Sequence, residues 1–249
     1  MADATQLLTP SLFEAGTQHP LFGVLLTLVA YRLALGLQHR TGWHIAQPVL
    51  MGTLLVVAAL YAGGLEYDSY QQSSSPLWLL LGPATVALAV PLYVNLKRIR
   101  ELLWPLLITI GIGGTTNVIL VLLLAGRLGA ETIVLISLAP KSVTSPIAIS
   151  LAEELGGTAA LAAVFVMLTG VAGALLGPPL LHLARVESHA ARGVALGLNA
   201  HAVGISQALQ DSKEAGAFAA LAMSLTGAIT ALLLPLGGPW LLGHLSGSG

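Results

Sequence analysis

The chain has no cysteine among its 249 residues, so disulfide frameworks, thiolate zinc or iron–sulfur sites and cysteine nucleophiles are excluded together. Charge is nearly as scarce. Lys, Arg, Asp and Glu make up 8% of the sequence, 10 basic against 11 acidic residues, where a soluble globular domain carries about a quarter. So few ions cannot clothe a water-facing surface of this size, and the lack of a basic excess leaves no counterion-releasing face for nucleic acid. Aromatic residues, at 5%, offer no platform for stacking bases or sugar rings. What the chain does have is apolar: 55% hydrophobic residues and a mean hydropathy of +0.85. The partner this composition calls for is a lipid bilayer.

A spanning helix needs about 20 mostly apolar residues. Eight stretches bounded by charges or turn residues qualify: Leu21–Leu37, Ala46–Leu65, Leu77–Val94, Leu102–Gly126, Thr132–Ala152, Gly157–Ala184, Gly193–Gln210 and Ala215–Gly243. The leading residues lack a basic start and a cleavage site, so they do not read as a signal peptide, and the closing SGSG is set aside as a tail. Two stretches are poor helices. Thr132–Ala152 carries Pro140, Pro146 and Lys141, and Gly193–Gln210 is interrupted by Gly197, Asn199, His201 and Gly204. Irregular backbone at membrane depth persists only where protein or a water-filled cavity solvates it, so both segments are predicted to line a site. Leu77–Val94, with Pro83 and Pro91, is a milder third case.

Sliding the chain against itself by 57 residues lays Leu81–Val86 on Leu138–Val143 and Leu168–Pro178 on Leu225–Pro235, which predicts tandem units, each a broken helix followed by a full span. Loop charge assigns sides by the positive-inside rule. Lys97, Arg98 and Arg100 mark the cytoplasm, Glu66 and Asp68 the outside. Simple alternation then puts Arg185 and Arg192 outside. The conflict vanishes if Thr132–Ala152 is a re-entrant hairpin entering from outside, an oppositely inserted arrangement of the kind transporters use. The expected fold is therefore an all-α polytopic membrane protein of about eight segments, two or three of them broken or re-entrant, with internal, inverted helix-pair repeats. One integral membrane domain, 1–249, is expected, with a helix pair at 20–65 and a repeat-containing core at 77–243.

The same residues carry a resemblance. LLGPATVALAVPLY (80–93), LAPKSVTSPIAI (138–149), ARGVALGLNAHAVGISQAL and EAGAFAALAMSLTGAIT (within 191–230) resemble the signature stretches of the LrgB/CidB family. That family includes the YohK-like bacterial membrane proteins and the carboxy-terminal half of the plastid glycolate/glycerate translocator. The resemblance implies residence in the bacterial inner membrane. It implies either a holin-like or antiholin-like modulation of murein hydrolase export and lysis, or carriage of small carboxylates such as glycolate, glycerate or pyruvate. A smaller LrgA/CidA-type membrane partner and homo-oligomers are implied as well.

Lys141 is the sharpest residue. A lysine at membrane depth costs a few kcal/mol to insert, and this one sits between two prolines among the hydroxyls of Ser142, Thr144, Ser145 and Ser150. An ammonium with hydroxyl and freed N–H donors suits a carboxylate; the alternative is a snorkelling lysine or one paired with Glu153. His201, with an unperturbed pKa of about 6.5, suits a proton carrier; the alternative is a neutral histidine bonded to a backbone carbonyl. Asn199 suits a substrate hydroxyl or a sodium ion, or else caps a broken helix. Asn117, beside Thr115, Thr116 and Gly113–Gly114, makes a polar notch that reads first as a place for close helix packing and second as part of a binding site. Thr85 and Pro83 gain interest from their match to Ser142 and Pro140. No nucleophile with its base, metal cluster or cofactor site is expected, and the coupling ion would be a proton or sodium.

Broken segments, an intramembrane cation and internal repetition favour a carrier over a lesion-forming holin, which needs only a few plain spans. Enzymatic activity is not expected.

Overall fold

The computed structural model describes residues 19–41, 47–80, 83, 86–87 and 89–246, with the side chains of 78, 91 and 239–246 outside the description. All regular structure among the described residues is helical, one of the two ways, beside a closed barrel, in which a chain satisfies its own backbone in hydrocarbon. The chain divides into two units, Met1–Ala87 and Leu88–Gly249, a boundary that falls inside the expected 77–243 core.

The first unit holds α1 (Phe22–Thr41), α2 (Pro48–Gly63), α3 (Tyr67–Ser74) and α4 (Pro76–Leu79). Pro48 opens α2 and the Gln47 side chain accepts from Leu50 N at 2.9 Å, so the freed donors of the first turn are met locally. Helix α1 packs on α2 and α3. Gly23 sits against α3 so closely that a Cβ would lie 2.7 Å from Ser73 Oγ, Ser74 N and Tyr70 O, and Thr27 Oγ1 pairs with Tyr70 OH at 2.8 Å.

The second unit holds α5 (Ala89–Val94), α6 (Leu96–Glu101), α7 (Leu103–Arg127), α8 (Thr132–Leu138), α9 (Ser145–Glu154), α10 (Ala159–Leu183), α11 (His189–Asp211) and α12 (Lys213–Ser246). Helices α1, α7, α10 and the Lys213–Gly238 part of α12 are long and apolar enough to cross a membrane; α2 is apolar but shorter. Of Leu77–Val94, the third candidate for a broken segment, the described residues are helical in α4, at Pro83, Val86 and Ala87, and in α5. Leu81, Gly82, Ala84, Thr85 and Leu88 lie outside the described residues.

The segment Thr132–Ala152 is interrupted. Helix α8 stops at Leu138 and α9 begins at Ser145, with Thr144 extended (φ −70°, ψ 150°) and Pro146 in the first turn of α9. Proline has no N–H to give the ladder, and Pro146 takes a first-turn place where none is needed, although α10 carries Pro178 and Pro179 without a break. The arms lie together: Leu135 and Ala139 share an apolar cluster with Leu151, and Thr158 N donates to Ser137 Oγ at 2.9 Å.

The second interruption is sharper. Within α11 the backbone leaves the helix at His201 alone (φ 41°, ψ −132°). A straight helix would hold residues 22 apart about 33 Å from each other, yet His189 Nδ1 lies 3.1 Å from Asp211 Oδ2, and Arg192 reaches the same carboxylate at 3.3 Å. The two arms of α11 therefore fold back on one another with His201 at the tip. Gly204 lies against Leu196 O for the same reason.

Helix α10 begins beside the open end of the α8–α9 pair and runs 25 residues to the open end of α11, about 37 Å. The two hairpins therefore enter the unit from opposite ends and their tips meet inside it. Arg98 reaches Glu214 at 3.7 Å, which puts Lys97, Arg98 and Arg100 at the α11 end together with Arg185 and Arg192. Glu131, Glu153 and Glu154 mark the other end, with Arg127 the exception.

The interior is built of small residues. Ala215, Ala217, Ala219, Ala220 and Ala222 on α12 are all at most 1% exposed, and Gly193 and Gly197 lay the first arm of α11 directly on the backbone of Ala215 and Ala219. Where lipid is as apolar as the core, such close backbone approach holds helices together. Phe218 is buried beside them with Leu106, Ile110, Val194 and Leu198, and Leu196 and Ile205 pack against Ala215, Ala219 and Ala220.

Candidate functional site

The two hairpin tips are joined by one residue of α7. Asn117 Nδ2 donates to Ser142 Oγ (3.0 Å) at the first tip and to Asn199 Oδ1 (3.1 Å) beside the second. Lys141 Nζ donates to Asn117 Oδ1 (3.0 Å) and to Ser142 Oγ (3.1 Å), while Asn199 Nδ2 donates to Ala195 O (2.9 Å). Lys141, Ser142, Asn117 and Asn199 are thus one network drawn from three elements.

The donor balance of this network is one-sided. An ammonium has three N–H groups and two of those on Lys141 are engaged. Ser142 Oγ accepts twice, leaving its own proton, and Asn199 keeps a second amide hydrogen. The ion pairs among the described residues lie elsewhere, and Glu153, the alternative partner for Lys141, is exposed near the outer end of α9. Lys141 is thus a half-buried cation with free donors around it and no carboxylate partner among the described residues. Groups of three or more metal-ligating side chains are absent among the described residues.

Two cavities reach the network from the α11 end. One of about 430 Å³ lies between α7 and α11, from Leu102 and Ser188 inward to Asn199. The other, about 540 Å³, lies between α10 and α11, from Leu180 and Leu181 inward to Lys141 and Asn199. Ala195 and Asn199 line both. Around the first tip, by contrast, Ala139, Val143, Ala148 and Val166 are at most 1% exposed.

His201 stands next to this network and bonds elsewhere. Its ring, 5% exposed, uses Nε2 to bond Val166 O on α10 at 2.8 Å, so the imidazole has the backbone carbonyl partner that was the alternative to proton carriage. Gly170 makes room for it, since a Cβ there would lie 2.5 Å from the ring. Thr144 precedes the first residue of α9 and makes no side-chain cap, Ser145 is exposed, and Ser150 Oγ bonds back to Pro146 O at 3.0 Å. Pro140 is buried at the first tip and Pro91 lies in α5, whereas Pro83 is exposed in the first unit and Thr85 is outside the described residues. Gly197 and Gly204 flank the second tip, but the break itself is at His201. Sequence reasoning missed Thr169, Thr109 and Ala195 as cavity-lining residues; only their place on long apolar helices was readable, because their exposure to the site is set by neighbours distant in the chain.

Comparison with known proteins agrees with the motif resemblance. The profile described as the LrgB-like family matches residues 27–240. Proteins named antiholin-like protein LrgB from Bacillus cereus (strain B4264) and Bacillus anthracis (strain CDC 684 / NRRL 3495) are each 29% identical over 228 residues, covering 91% of this chain and 99% of the relative. No solved structure matches the chain.

Proposed function

The chain belongs to the LrgB-like family, and from that premise we propose that this integral membrane protein carries small monocarboxylates, such as glycolate, glycerate or pyruvate, across the bacterial cytoplasmic membrane. The observation that supports this reading is the unpaired Lys141 ammonium, set with free hydroxyl and amide donors where two broken hairpins meet. Charge-assisted donors of this kind recognise a carboxylate. Lys141 and Ser142 hold its oxygens, Asn199 meets a neighbouring hydroxyl or oxo group, and Asn117 fixes the distance between the tips.

Alternating access needs a site reachable from either side. A displacement of 57 residues carries Thr132 to His189 and Glu154 to Asp211, the outer ends of the two hairpins, and supports an internal repeat. Each unit, a hairpin and one crossing helix, contains an odd number of crossings, so successive units are inverted. With cavities open at the basic end, the conformation is the cytoplasm-facing one.

The names of the relatives favour a second reading, an antiholin-like modulator of lysis. The two meet if control of lysis follows from moving metabolites, with a smaller LrgA/CidA-type partner and self-association as further elements of that system. Uptake of labelled glycolate, glycerate and pyruvate into proteoliposomes, with and without a proton gradient, tests the choice. A carrier accumulates at least one acid while retaining an entrapped dye. Dye loss, or no uptake of any acid, sinks the carrier reading.

A further inference from the structure

The 540 Å³ cavity beyond Lys141 changes character along its length. Lys141, Thr169 and Asn199 supply its polar side chains, and all three lie at the inner end, level with the α11 tip. From there outward α10 and α11 present Leu176, Leu180, Leu181 and Leu196, over a floor of glycine and alanine. The volume is that of a site for a small organic molecule rather than an ion alone. No second cation lines it, so the second charge of a dicarboxylate would find no partner there, and a hydroxyl beyond the reach of Thr169 and Asn199 would face only apolar side chains.

We propose that this cavity selects amphiphilic anions: short aliphatic monocarboxylates, butyrate to hexanoate in length, with the carboxylate on Lys141 and the alkyl tail along Leu176 and Leu196. The inference rests on the reading of Lys141 as a carboxylate site and moves its preferred substrate, within the small monocarboxylates, from hydroxy acids such as glycerate to longer acids with an unsubstituted tail. Thr169 serves the carbon next to the carboxylate, where one polar substituent is accepted. The apolar wall from Gly173 to Leu180 extends about 10 Å, which sets the upper limit on the tail.

Calorimetric titration of the full chain in nanodiscs with acetate, butyrate, hexanoate, decanoate, glycerate, succinate and the uncharged hexanamide tests this. Each methylene from acetate to hexanoate should strengthen binding about three- to fourfold, with decanoate gaining nothing more. Glycerate and succinate should bind more weakly than butyrate, and hexanamide should not bind. Lys141→Met should lose every acid, and Ala195→Leu, which narrows the cavity, should weaken hexanoate more than acetate. Lys141-dependent binding that is flat with chain length, or tightest for glycerate, overturns the tail site and leaves the carboxylate site standing. Binding that continues to strengthen through decanoate assigns the cavity to membrane fatty acids and overturns the short-acid proposal. Absence of any carboxylate binding removes both readings.

Discussion

His201 takes a backbone conformation that costs a non-glycine residue about 1–3 kcal/mol, and it does so where the chain folds back (φ 41°). Two contacts offset that cost: the ring bond to Val166 O and the slot left by Gly170. Gly170→Ala should therefore displace the imidazole and lower stability by about 1–3 kcal/mol, read as a fall in Tm in detergent; an unchanged Tm would show that the slot is not needed. His201→Gln bears on the imidazole itself. A histidine that positions the tip predicts that pH-driven accumulation and exchange decline together across external pH of about 5.5 to 8, whereas loss of accumulation with exchange intact would make it the coupling group. Of Gly197, Asn199, His201 and Gly204, which marked this interruption in the sequence, His201 carries the break and the two glycines do not. Their smallness answers to backbone proximity, Gly197 to Ala219 and Gly204 to Leu196, a demand that looks like flexibility when only the sequence is in view.

The two hairpins differ in what made them legible. In the first, Pro140 and Pro146 mark the break by local chemistry, which sequence records directly. In the second, the fold-back depends on α12 receiving the first arm through Gly193 and Gly197, which involves residues far apart in the chain. Gly197→Ala should accordingly be severe, separating α11 from α12 and abolishing a folded, monodisperse protein on size-exclusion chromatography. Asp211→Asn removes the ion pair with Arg192 and alters the hydrogen bond with His189 at the open end of the same hairpin, but all three groups are partly exposed (24% for Asp211, 26% for Arg192, 49% for His189). Such pairs contribute at most about 1 kcal/mol, so that variant should fold normally, and a large loss of stability would mean that the open end, rather than the glycine seam, holds the hairpin closed.

At the scale of the whole molecule, an integral membrane protein with oppositely inserted hairpins makes a sided prediction that the cysteine-free sequence is well suited to test. Ser188→Cys, at the basic end, should react with a membrane-impermeant maleimide from the cytoplasmic side, and Glu154→Cys, at the acidic end, from the outside. Labelling of both from one side would contradict the crossing of α10 between them. The central claim is narrower: the meeting point of the hairpins holds a carboxylate on Lys141. Its most direct measurement is equilibrium binding of labelled pyruvate, glycolate and butyrate to the purified full chain, wild type beside Lys141→Met, with both proteins shown to be folded by equal helicity and retention volume. The account predicts saturable binding of at least one acid to the wild type and a loss of about thirtyfold or more in the variant; saturable binding of equal strength in both would place the anion elsewhere and leave Lys141 a structural link between the two tips.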